Sequence, residues 1–184
     1  MQRLPASLAL ALSTAALLAA CASPAKPMKS FDGASLPAPV QAPAANKVAL
    51  ETVGVGQITY QCRAKADMAG QFEWVFVGPD AKLMDRSGKQ VGRYFGPPAT
   101  WEATDGSRIT GAQVAIAPAA AGSIPLQLVK ANPAMGSGAM TGVSYIQRVA
   151  TQGGVAPAAP CVQANLGANV VVPYQADYIF YKPA

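Results

Sequence analysis

The chain has 184 residues, of which 51% are hydrophobic and 12% charged, with a formal net charge of +5 and no histidine. That length holds one domain with a core of its own, and the missing histidine excludes Ser-His-Asp and Cys-His catalysis, imidazole acid–base chemistry and His-ligated metals. The basic residues are scattered, as at Lys65, Lys82, Arg108 and Lys130, with acidic residues between several of them, which argues against a nucleic-acid surface.

Met1-Gln2-Arg3 is a short positive start, Leu8 to Ala20 is an apolar run interrupted only by Ser13 and Thr14, and Leu18-Ala19-Ala20-Cys21 closes it. The run is too short for a permanent membrane span, and the closing tetrapeptide resembles the lipobox of bacterial lipoproteins. Residues 1–20 are therefore expected to be a cleaved lipoprotein signal peptide, with Cys21 the acylated first residue of the mature protein and the membrane a partner through that anchor. Ala22 stands where lipoproteins retained in the inner membrane often carry Asp, so the expected location is the outer membrane, facing the periplasm. Residues 21–46 are rich in Pro, Ala and Ser and read as a disordered tether of largely polyproline II geometry, with Phe31 an incidental apolar residue. The folded domain is expected over residues 47–184.

Beyond the tether the pattern is that of strands separated by Gly, Pro, Asp and Asn. Gly56 to Cys62 alternates, with Ile58, Tyr60 and Cys62 on one face. Phe72 to Val77 places Phe72, Trp74 and Phe76 on one side and Val75 and Val77 on the other, after which Gly78-Pro79-Asp80 reads as a turn. Lys82–Asp85 and Gln90–Tyr94 follow, joined by the hairpin turn Arg86-Ser87-Gly88-Lys89. Trp101 sits beside a Gly96-Pro97-Pro98 loop, Asp105-Gly106-Ser107 is an Asx-type turn, and Arg108–Ala117, Ile124–Ala131 and Gly142–Ala150 are strand candidates. Tyr174 to Tyr181 sets Tyr174, Ala176, Tyr178 and Phe180 on one face, which pins its register. No window after residue 21 has sustained helical periodicity. Turns recurring about every ten residues predict an all-β, single-domain antiparallel sandwich or barrel.

Of three cysteines, Cys21 is assigned to lipid, leaving Cys62 and Cys161, 99 residues apart. In an exported domain two cysteines favour a disulfide; a redox pair would want Cys-x-x-Cys and a zinc site would want histidines, and neither context is present.

Ile58-Thr-Tyr-Gln-Cys62, Gly96 to Trp101, Asp105-Gly-Ser107, Ile146-Gln-Arg-Val-Ala-Thr-Gln-Gly-Gly154 with Ala156-Pro157, Cys161, and Val172-Pro-Tyr-Gln-Ala-Asp-Tyr-Ile-Phe-Tyr181 occur in an order that resembles the DUF3455 family of bacterial and fungal secreted proteins. The resemblance spans about residues 47–182. It implies an exported single domain whose two cysteines are family features, and it implies no reaction, substrate or partner. Members of that family often carry a histidine just before the Gly-Pro-x-Trp stretch, where this chain has Arg93-Tyr94-Phe95 followed by extra loop residues, so a function relying on that histidine is not expected here.

Carboxylates are the remaining catalytic possibility. Glu102 and Asp105 flank Trp101, and Asp177 lies in the last strand, but a pair at spacing three beside a turn is more often surface charge and turn capping. Neither a catalytic residue nor a metal or cofactor site is assigned. The expected function is that of a lipid-anchored, non-catalytic binding module for an envelope component or small molecule. The alternatives are a structural or protein-interaction domain and a histidine-free enzyme. Candidate ligand-binding residues are Trp101 and Tyr94, Gly96 in the adjoining loop, Asp105, and the Gly153-Gly154 pair, whose backbone could approach a ligand or could supply positive φ in a turn.

Overall fold

The computed structural model describes residues 31–184; the expected signal peptide, Cys21 and residues 22–30 lie outside them. Eight antiparallel strands follow one another around a closed barrel. They are β1 (Asn46–Ala64), β2 (Phe72–Met84), β3 (Gln90–Phe95), β4 (Thr100–Ala103), β5 (Arg108–Ala117), β6 (Leu126–Ala131), β7 (Tyr145–Gly153) and β8 (Asn169–Pro183). The all-β expectation is met, and of its two forms the barrel is the one formed.

Closure comes from β1, which pairs with β2 on one side and with β8 from Asn46↔Pro183 to Gln61↔Asn169 on the other. Period-two alternation then sends one residue set inward. Ile58, Leu83, Trp101, Ile109, Ile146, Tyr178 and Phe180 meet in a single buried cluster. The inward set of β8 is the one its sequence implies, Tyr174, Ala176, Tyr178 and Phe180. Opposite it, β1 places glycines inward, because a Cβ on Gly54 would stand 2.6 Å from Cε2 of Tyr178. The missing side chain is what admits the tyrosine ring.

Gly78-Pro79-Asp80, expected as a turn, lies inside β2, which also takes in Lys82–Met84. Thr59 pairs with Gly78 and Tyr60 with Phe76, so Val77 is the extra residue of a bulge. A Cβ on Gly78 would overlap the Gly96 carbonyl, and β3 pairs with β2 only from Asp80 onward, so Pro79 has no ladder partner on that side. Gly and Pro here mark a bulge and a stretch of β2 with a free edge, the other circumstances in which a sheet tolerates them.

Residues 31–45 correct the reading of the whole 21–46 segment as disordered tether. They lie along the outside of the barrel with two single-turn 3-10 helices, Gly33–Ser35 and Ala38–Val40. Val40 is 0% exposed, packed with Ala117 and Leu128, while Phe31 and Leu36 pack with Val149, Ile179 and Tyr181. The buried Gln147 amide donates to the Val40 carbonyl and accepts from the Tyr181 hydroxyl at 2.6 Å. Phe31 is thus a packing contact of this strap.

Cys62 and Cys161 form a disulfide that ties β1 to the β7–β8 connection. The same connection is held by Cys62 N–H to the Ala168 carbonyl at 3.0 Å and by Trp74 Nε1 to the Ala159 carbonyl at 2.7 Å.

Two outcomes follow. Cys62→Ser should lower the unfolding free energy under oxidising conditions by about 2–5 kcal/mol, read from denaturant melts, because the bond closes a long loop in the unfolded chain. Val40→Asp should release the strap, so that limited proteolysis cuts between residues 31 and 45 in the variant well before it does so in the parent, with the barrel left intact.

Candidate functional site

Trp101 is the second residue of β4 and is 1% exposed, so it belongs to the barrel interior rather than to the neighbouring loop. Tyr94 on β3 is its cross-strand partner. Their rings stack at 4.8 Å between centroids with 19° between planes, and Tyr178 meets both, at 5.0 Å from Tyr94 and at 5.9 Å edge-on to Trp101. The β3–β4 hairpin turns through Gly96 to Ala99, and a Cβ on Gly96 would lie 2.6 Å from the Pro98 carbonyl oxygen, so glycine is what allows the turn.

Beside this aromatic pair is a cavity of about 250 Å³. Phe76, Pro79 and Pro97 give it apolar walls, and Gln113, Gln127 and Arg148 supply its polar side chains. Gln127 and Arg148 are cross-strand neighbours on β6 and β7, and the Gln127 amide donates to Gln113 Oε1 at 2.6 Å. None of the lining residues is acidic.

Two features of this region stand out chemically. Trp101 Nε1 is buried with no hydrogen-bond partner among the described residues. Such a group carries a desolvation cost of about 1–3 kcal/mol, so it is uncommon in a settled interior. Arg148 donates to the Pro125 carbonyl from Nε at 3.3 Å and Nη2 at 3.0 Å, and forms no ion pair with a carboxylate among the described residues.

The phenols behind the cavity stay protonated. Burial raises Tyr60, Tyr94, Tyr174 and Tyr178 above the ordinary tyrosine value, and in each the positive charge of Arg148 opposes the rise. Tyr174 and Tyr178 share a hydroxyl contact of 3.1 Å. These groups are neutral hydrogen-bonding surface rather than acid–base catalysts at ordinary pH.

The carboxylates considered for catalysis do not converge. Glu102 points outward from β4 and pairs with Arg93 at 3.0 Å and Arg108 at 4.0 Å. Asp177 meets Arg86 at 2.8 Å, and Arg86 also holds Glu51 at 3.1 Å. Asp105 lies in the β4–β5 turn, at the end of β4 opposite the Gly96–Ala99 hairpin. It accepts from Ser107 N–H at 2.9 Å, from the Ser107 hydroxyl at 2.6 Å and from Ala139 N–H at 2.7 Å. The Asx turn read from Asp-Gly-Ser is therefore formed, and it also pins the β6–β7 loop.

Gly153 and Gly154 have φ of +67° and +78°. Gly154 is wedged among Tyr174, Ile124 and Ile58, and its carbonyl accepts from the Tyr60 hydroxyl at 2.8 Å. Both glycines serve the departure of the chain from β7, and neither is among the residues lining the cavity. The structure thus brings Trp101, Tyr94 and the Gly96 hairpin together, separates Asp105 from them, and adds Arg148, Gln127, Gln113 and Phe76.

Residues 43–182 match the family described as protein of unknown function (DUF3455). No curated protein and no solved structure gave a match.

Because Trp101 is a fully buried aromatic, Trp101→Ala should cost about 3–5 kcal/mol of stability in a thermal or denaturant melt. A change within error of zero would contradict its interior placement. The Asp105 carboxyl is held below its usual value, first by the Ser107 hydroxyl and then by the Ala139 amide. Its contribution is complete above the unfolded value of about 4 and is lost as pH falls through the lower folded value. Asp105→Ala should therefore lower the urea midpoint at neutral pH, and the difference from the parent should shrink as pH falls below about 4.

Proposed function

Since the chain belongs to the DUF3455 family, whose description names no activity, we propose from the barrel's own geometry that it is a non-catalytic binding module, taking a small molecule into the cavity beside Tyr94 and Trp101. The observation that carries this reading is a cavity with mostly apolar walls into which Arg148, without an ion pair among the described residues, brings a positive charge. Mostly apolar walls with a few convergent polar groups are the usual composition of a small-molecule site.

The cavity is below the lower end, about 300 Å³, of sites for drug-sized ligands, so its occupant is a compact molecule. The enzyme alternative lacks a converging pair of carboxylates, since Glu102, Asp105 and Asp177 are each engaged elsewhere. In this reading the barrel is carried on the acylated Cys21, as the lipobox-like Leu18-Ala19-Ala20-Cys21 implies, and works at the outer membrane facing the periplasm. An envelope component of small size, or a solute passing through the periplasm, is the expected partner.

Native mass spectrometry of the mature chain, exported to an oxidising compartment and purified gently, tests this. The expected result is a population carrying a small adduct that is lost on denaturation and reduced by Phe76→Asp, which places a charge in the apolar wall. A bare protein, with no added small molecule altering its tryptophan fluorescence, would contradict the proposal.

A further inference from the structure

Resting on the reading of the cavity as a binding site, we infer that its ligand class is a compact organic anion, a carboxylate on a planar ring, with the carboxylate held by Arg148 and Gln127 and the ring lying along the Tyr94–Trp101 pair.

The charge argument comes first. Arg148 reaches the cavity from β7, and its Nη1 has no acceptor among the described residues. A guanidinium presents five donors in a planar fork suited to a carboxylate, and here Nε and Nη2 both go to one backbone carbonyl. With no acidic side chain on the lining, the local positive charge is uncompensated within the site. A neutral ligand would leave it so; an anion would form a charge-assisted hydrogen bond, the stronger kind.

The remaining walls specify the body of the ligand. Phe76, Pro79 and Pro97 offer apolar surface, and the stacked pair backs the cavity beside them. A dry cavity of about 150 Å³ is enough for benzene, so the 250 Å³ present here accommodates a six-membered ring with one charged substituent.

The test uses the mature full chain with benzoate and its uncharged isostere benzamide as probes at neutral pH. The chain has two tryptophans, so the indole N–H region of a proton–nitrogen correlation spectrum holds two signals, assigned with Trp74→Phe. Benzoate should shift the Trp101 indole signal and bind at least about tenfold more tightly than benzamide. Arg148→Gln should remove that difference by weakening benzoate while sparing benzamide. Equal affinity of the two probes for the unmodified protein would overturn the anion assignment and leave a binding cavity of another class. Silence of the Trp101 signal to both probes would also overturn it, with the adduct measurement then deciding the binding reading separately.

Discussion

β1 is hydrogen-bonded along most of its length to β8 and along its C-terminal half to β2, so the first and last strands of the domain meet and the sheet closes on itself. Closure removes the unpaired strand edges that an open sheet of this length would present. It also dictates what each inward residue must be. An eight-stranded ring has an interior just wide enough to be filled by side chains or to hold one small ligand. Along β1 the inward position Gly54 yields its space to Tyr178 of β8, which in turn supports Trp101 and Tyr94, while Gly56 lets β2 approach at Ala81. The interior is therefore packed around Tyr178 and Phe180, while space remains beside the β3–β4 hairpin. The cavity is what is left where the aromatic pair ends and the Gly96–Ala99 turn begins.

Much of this was legible from residue patterns, and the failures have physical reasons. The tyrosine face of β8 and the Asx turn at Asp105 were readable because each rests on local chemistry, alternation in one case and a side chain bonding its own backbone in the other. Val77, Gly78 and Pro79 misled because a bulge and a turn call on the same residue types. Trp101 reads as a site residue because it adjoins Gly96-Pro97-Pro98, whereas the hairpin occupies only residues 96–99 and Trp101 already lies in β4, facing the core. Arg148 was invisible as an interior residue because the strap buries the opposite face of β7. Gln147 and Val149 are consequently buried on the outside while Arg148 alternates with Ile146 on the inside, so hydrophobicity alone does not reveal which face is the core.

The strap has the same lesson in reverse. Phe31, Leu36 and Val40 stand in a Pro- and Ala-rich stretch without strand or helix periodicity, yet they cover Ala117, Leu128, Val149 and Ile179 on the barrel wall. Those outward apolar residues required a cover, and the required segment precedes the barrel in the chain. Its docking extends the folded unit to Phe31, closer to Cys21 than composition alone suggests.

The central claim is that the barrel interior holds a small anionic ring between the aromatic pair and Arg148. Crystals of the mature protein soaked in 4-iodobenzoate test it most directly, through the anomalous signal of the iodine. The account predicts one peak inside the cavity on the side of Phe76 and Pro97, with carboxylate density at the Arg148 guanidinium. An empty cavity, or a ligand oriented with its carboxylate away from Arg148, would contradict it.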